Sequence, residues 1–300
     1  MPDAGCRMPR TSPLRPTGTL GIMSNFVSAA ELKDLLTSGA PVRVIDVRWS
    51  LDRPDGRGEY LSGHVPGAVF VPLHTELATH GEAADGRHPL PSTEKLQKAA
   101  RRWGVNQGDT VIAYDDSKGL GAARAWWLLR QAGVDVRVLD GGIRAWKAAG
   151  FEVATDDVLP EAGDVVLHEI GADAISIDEA AAFPESGILL DVRAPERYRG
   201  ETEPYDPVAG HIPGALNVPM AAHLDADGKI LDADTLRQTF AGVGVTPGIP
   251  VAAYCGSGVT AAHTALVADE VGIPLKVYPG SWSQWSNTPG RPVATGDQPG

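Results

Sequence analysis

Apolar residues along this chain alternate between two rhythms. Short runs such as Val42–Val47, Ala68–Val71, Thr110–Tyr114 and Val136–Leu139 have the length and β-branched content of buried strands. Between them, apolar positions fall three and four apart. Ser28-Ala-Ala-Glu31 is a capping-box pattern ahead of Leu32, Leu35 and Leu36, and so predicts a helix start. A second helix is predicted from about Ser92 to Trp103, stopped by Gly104. A third covers Gly119–Ala132, and a short one ends at Gly150. The rhythm then begins again, with strands expected near 188–192, 215–218, 250–254 and 275–278. Short buried strands alternating with helices predict an α/β fold in which parallel sheets carry helices on both faces.

The recurrence extends to the residues themselves. VIDVR at 44–48 answers LLDVR at 189–193, and GHVPGA at 63–68 answers GHIPGA at 210–215. VIAYDDSKGLGAARA at 111–125 matches VAAYCGSGVTAAHTA at 251–265, and LDGGIRAW at 139–146 matches YPGSWSQW at 278–285. The offsets run 145, 147, 140 and 139, in order. A period near 140 is too long for a solenoid unit and predicts two tandem domains. We expect them at 24–150 and 173–293, joined by an acidic linker at 151–172 with Pro160 and Gly163. Residues 1–22, rich in Pro, Arg and Thr, read as a flexible leader without the apolar core of a secretory signal.

Composition narrows the function classes. The 300 residues are 43% hydrophobic and 21% charged, an ordinary globular mixture. Lys plus Arg number 26 against 38 acidic residues, a net charge of −12 that argues against nucleic acid or an anionic membrane as partner. No apolar run approaches a bilayer span. Two cysteines, Cys6 and Cys255, make no disulfide framework and suit a reducing, cytoplasmic setting. The eight histidines show no metal-ligand spacing, and nucleotide-binding glycine fingerprints are absent, so neither metal nor cofactor is expected.

The candidate chemistry sits in Val251-Ala-Ala-Tyr-Cys255-Gly-Ser-Gly-Val-Thr260. Cys255 ends an apolar strand, and a helix follows a few residues later. Gly256 and Gly258 are expected to pass through positive φ, so that amides of Gly256 to Thr260 turn inward on the sulfur and favour a thiolate. A buried structural cysteine would be the commoner case, but the strand, glycine loop and helix favour a nucleophile. The first domain has Asp115 in the matching place, which cannot serve as a thiol nucleophile, so only the second domain should be active. His64 and His211 recur in both domains, which favours a structural role for each.

With these motifs in this order, the chain resembles the two-domain rhodanese-type sulfurtransferases from about residue 24 to 293. The resemblance implies that Cys255 takes a sulfane sulfur as a persulfide and passes it to a thiophilic acceptor, in two steps. The loop CGSGVT looks like the 3-mercaptopyruvate branch, whereas the thiosulfate branch carries cations in a CRKGVT pattern. It further implies that Arg193 and Arg197 grip the donor carboxylate, with Arg199 as a further candidate, and that Gly256, Gly258, Val259 and Thr260 line the donor. Ser257 and His88 match two members of that branch's proton relay. Where the branch has an acid, this chain has His74, with Glu76 two residues on.

The expected partners are a small sulfur donor and an acceptor, which is cyanide, a thiol or thioredoxin. A thiosulfate sulfurtransferase and a persulfide relay to a partner protein stand as alternatives. A cysteine phosphatase needs arginine six residues after the cysteine; Ala261 stands there and excludes it.

Overall fold

The computed structural model describes residues 24–300; the expected leader and Cys6 lie outside the described residues. The first sheet contains β1 (Phe26–Val27), β2 (Val42–Asp46), β3 (Val69–Phe70), β4 (Thr110–Tyr114) and β5 (Asp135–Leu139), in the order β1-β5-β4-β2-β3. The second contains β6 (Ile188–Asp191), β7 (Leu216–Asn217), β8 (Val251–Tyr254) and β9 (Leu275–Val277), in the order β7-β6-β8-β9. Every strand pairing within these sheets is parallel. The short β1 has no counterpart strand in the second domain; a single parallel bridge from Ala174 to Val277 takes its place. Neither run was legible as a strand, because two residues carry no period.

The capping box at Ser28 forms as read: Ser28 Oγ accepts from Glu31 N at 3.2 Å, and Ser28 N donates to the Glu31 carboxylate at 2.7 Å. The same device opens the helix Ile177–Ala182 through Ser176 and Glu179. The helix expected from Ser92 spans Thr93–Arg102, with Ser92 as its cap. The 151–172 segment lies along the first domain as irregular chain: Val165 N donates to Val105 O and His168 N to Ala132 O.

Strand alternation assigns each side chain to a layer. On β4, Val111 and Ala113 face one apolar cluster while Ile112 and Tyr114 face another. On β8, Val251 and Ala253 join the same cluster as Val111, and Ala252 and Tyr254 enter a third. The shared cluster runs between the two sheets, through the packed helices Leu120–Gln131 and Val259–Glu270. Two domains thus close on one common core, with a separate core on each outer face. The order in which strands are added across the sheet reverses between β2 and β4 and between β6 and β8, so the loops after each pair part and leave a crevice at the carboxyl ends.

Candidate active site

Period two carries Cys255, the residue after Tyr254, onto the shared inner face, where it is 1% exposed. The chain then turns through Gly258, whose φ of 79° and αL geometry cap the Val259–Glu270 helix. A Cβ there would stand 2.4 Å from the Pro279 carbonyl oxygen, so the turn requires glycine. Gly258 N donates to Cys255 Sγ at 3.1 Å. Ser281 pins the loop from behind, its Oγ accepting from Cys255 N at 3.1 Å and donating to Tyr278 O at 2.9 Å. Gly256 does not follow the expectation. It lies outside the positive-φ region, and its missing side chain instead leaves room for Arg197, whose Nη1 would be 3.3 Å from a Cβ at that position.

A cleft of about 460 Å³ opens above the loop and takes Trp49 and Arg87 from the first domain and Arg197, Tyr205, Ser257 and Thr260 from the second. Val259 is buried in the first turn of the helix beneath it. Ser257 and His88, far apart in sequence, meet here: Oγ of Ser257 is 2.8 Å from His88 Nδ1. His88 Nε2 is 3.2 Å from His74 Nδ1, and His74 Nε2 accepts from Trp49 Nε1 at 2.8 Å. Burial, reinforced by His74, Arg124 and Arg87, lowers the His88 pKa to about 3. Glu76 turns away from this row to bond Arg102 and Trp103.

The arginines divide sharply. Arg193 lines the cleft, but its donors are turned to the fold where the sequence predicts a donor grip. Its Nε and Nη2 hold Asp191, Nη2 also reaches the Gly210 carbonyl at 2.6 Å, and Nη1 takes Glu203 at 3.2 Å. Its guanidinium packs over Trp282. In the first domain Arg48 does the same with Asp46 and the carbonyls of Glu59 and Gly63, so the repeated DVR is a fold device. Arg199 pairs with Glu201 at the surface. Arg197 sits at the cleft with Nε and Nη2 on Glu203 and its Nη1 edge over Gly256. Arg87 crosses from the first domain to Asp206 at 2.5 Å, and the ring of Tyr205 lies against both Arg87 and Arg197.

The residue sequence reasoning missed is Arg124. It is fully buried on the Leu120–Gln131 helix and bonds only carbonyls: Leu77, His88 and, more weakly at 3.4 Å, Gly258. Burial lowers its pKa to about 10, and the electrostatic interaction with nearby Cys255 opposes that fall. The available signal was a lone arginine inside the apolar run GAARAWW. His64 and His211 are the structural pair expected, each stacked on a tyrosine (Tyr60, Tyr198) and bonded through Nδ1 to that tyrosine's carbonyl.

Comparison with known proteins gives concordant matches. The sequence profile described as "Rhodanese-like domain" matches residues 28–149 and again 176–288. A Mycobacterium tuberculosis protein named putative thiosulfate sulfurtransferase SseB is 46% identical over 275 residues, covering 90% of this chain and 97% of that one. A Pseudomonas aeruginosa protein named probable 3-mercaptopyruvate sulfurtransferase is 43% identical, covering 85% and 92%. Among solved structures, SseA from Escherichia coli, titled as a 3-mercaptopyruvate sulfotransferase, superimposes with a TM-score of 0.77 at 32% identity, covering 87% of this chain and 99% of that one.

Proposed function

We propose, from the premise that this chain belongs to the rhodanese-like domain family and is a sulfurtransferase, that it moves a sulfane sulfur from 3-mercaptopyruvate to a thiophilic acceptor through a persulfide on Cys255. The observation that carries the persulfide is the Gly258 N–H on Sγ beside the buried, carboxylate-free Arg124. The first domain supports it with an anion already in place. Asp115 accepts from Ser117 N and Gly119 N through one oxygen and from Ala122 N through the other, at 2.7–2.9 Å. A persulfide extends from Cβ by the same number of atoms as a carboxylate oxygen does, so its outer sulfur has a corresponding cradle in the second domain.

In the reaction, the Cys255 thiolate donates an electron pair to the donor sulfur and the donor's C–S bond breaks. The pair leaves as pyruvate enolate, and the thiol proton, carried over on the persulfide, neutralises the enolate carbon. A nucleophilic acceptor such as cyanide or a thiolate then takes the outer sulfur and returns the thiolate. Ser257, with His88 behind it, serves the reacting groups, while Gly256 and Thr260 border the donor and Val259 supports the floor.

Charge decides between donors. The loop brings no cation, and Arg87, Arg193 and Arg197 each already hold a carboxylate. That balance suits a singly charged donor better than dianionic thiosulfate, with the Nη1 edge of Arg197 as the carboxylate contact. The reading extends to a cytoplasmic setting, which suits a free thiol nucleophile, and to thioredoxin as one acceptor; no helix among the described residues is long and apolar enough to cross a membrane. The test is the initial transfer rate with 3-mercaptopyruvate and with thiosulfate against one acceptor, with Cys255→Ser as blank. A preference for thiosulfate would overturn the donor assignment. A stable persulfide with negligible turnover on either donor would make the chain a relay to a partner protein.

A further inference from the structure

An indole N–H can only donate, and that fixes more than one proton here. Trp49 Nε1 donates to His74 Nε2, so that nitrogen is bare and neutral His74 carries its proton on Nδ1. His74 Nδ1 faces His88 Nε2 at 3.2 Å, so His88 Nε2 must accept. His88 therefore carries its own proton on Nδ1 and donates to Ser257 Oγ at 2.8 Å. Oγ has received a hydrogen, and its own hydrogen is left to serve the cleft that Ser257 lines.

We propose that Trp49 and His74 are positioning residues that hold both imidazoles in the Nδ1–H tautomer and so make the Ser257 hydroxyl a fixed hydrogen-bond donor to the oxygen of the leaving enolate. The inference rests on the sulfurtransferase reading given above. Ser257 keeps its proton throughout: the enolate oxygen gains a hydrogen bond as its charge grows, and carbon is neutralised by the donor's own thiol proton. A carboxylate in place of His74 would reverse the row. It would accept from His88 Nε2–H, leave Nδ1 bare, and make His88 a base toward Ser257.

The surroundings agree with a neutral row. The groups acting on His88 are His74, Arg124, Arg87 and His80, all of which oppose a positive charge, as does burial. His74 is likewise pushed down by burial and by His80. His88 then stays neutral near neutrality, the indole N–H already occupies the His74 nitrogen that a second proton would need, and geometry leaves both rings one task, which is orientation.

The test is long-range 1H–15N correlation on the full chain labelled in histidine, at pH 7.5, together with steady-state rates. His74 and His88 should both show a protonated Nδ1 and a bare Nε2, and kcat should be flat from pH 6 to 8. Trp49→Phe should release the tautomers and lower kcat about tenfold with KM and melting temperature nearly unchanged. His74→Asp should move the His88 proton to Nε2 and give kcat a new titration between pH 6 and 8. A wild-type His88 protonated on Nε2 would overturn the lock, as would Trp49→Phe with unchanged tautomers and kcat. Unchanged turnover in Ser257→Ala, with the tautomers as stated, would instead overturn the place of this hydroxyl in the reaction.

Discussion

The loop after β4 and the loop after β8 are one device holding two different side chains, a carboxylate and a thiol. In the first domain the Asp115 carboxylate takes the amides of Ser117, Gly119 and Ala122. Burial raises its pKa while those three donors pull it down. In the second domain the shorter Cys255 side chain takes one amide, that of Gly258, with the Ser281 hydroxyl more distant at 3.9 Å. The loops also differ by one residue. Gly119 caps its helix four positions after Asp115, Gly258 three after Cys255, and the surplus residue in the first domain, Lys118, stands at φ 62°. Five positions after each cap lie Arg124 and His263. Each crosses to the other domain, Arg124 to the Gly258 carbonyl and the His263 ring to the space where a side chain at Gly119 would stand. The cation goes to the sulfur's loop and the neutral ring to the carboxylate's. The first loop is satisfied within itself, whereas the second is left open to one more atom and supplied with charge by its neighbour.

Replacing these side chains should break the comparison most severely. Cys255→Ser should lower sulfur transfer about a thousandfold or more, because a hydroxyl is a far weaker nucleophile; persulfide labelling and thiocyanate release would read it, and activity above a few per cent would remove Cys255 from the chemistry. Asp115→Asn should leave turnover within about twofold while lowering stability by about 1–3 kcal/mol, since one amide donor faces an N–H instead of an acceptor. Next in size is the crossing cation. Arg124→Met should cost about a hundredfold in kcat/KM, the scale of one lost electrostatic contact in a closed site. Arg124→Lys should recover part of it, and thiol alkylation against pH would show whether the thiolate has been lost.

The arginines test the repeat more gently. Arg197→Ala should raise KM for mercaptopyruvate about tenfold, near 1.4 kcal/mol of carboxylate binding, with kcat little changed. Arg193→Ala and Arg48→Ala should behave as a pair, each lowering unfolding free energy by about 3–5 kcal/mol because a buried carboxylate is left unpaired. A KM effect in Arg193→Ala at undiminished stability would return that residue to the donor site.

Much of this was legible from the chain. Short apolar runs, the capping box at Ser28 and the helix stops at glycine predict the main strands and helices, and the duplicated motifs predict two domains. Cys255 stood out because strand, glycine loop and helix are local signals. The pairing of Ser257 with His88 was reachable only through resemblance, since 169 residues separate them. Repetition is informative: it assigns His64 and His211 to the fold, and the same logic through Arg48 assigns Arg193. The drop in motif offset from 140 to 139 already contained the extra residue before Gly119. It did not show that Arg124 and His263 are counterparts, because residue-by-residue alignment sets Arg124 opposite Thr264. Side chains that act across a domain boundary leave little trace in local pattern.

The smallest effect expected comes from the neutral half of that crossing pair. His263 is buried against His223, which stacks on Phe240 with both ring nitrogens unpartnered. Burial lowers their pKa values to about 3 and about 4. The unfolded chain, with histidine near 6.5, binds more protons than the folded one below that pH, so stability is complete above it and falls as pH drops toward 4. Each ring should cost about 2 kcal/mol between pH 7 and pH 5, and His88 adds to the same slope. Urea unfolding at the two pH values measures the sum. His223→Phe keeps the stack on Phe240 and removes one titration, so it should flatten the slope and raise stability at pH 5 without touching turnover. An unchanged slope would mean that His223 is hydrated or already protonated in the folded protein. The acid sensitivity would then fall to His263, the neutral half of the crossing, and to His88, and His263→Phe would be the variant that flattens the slope.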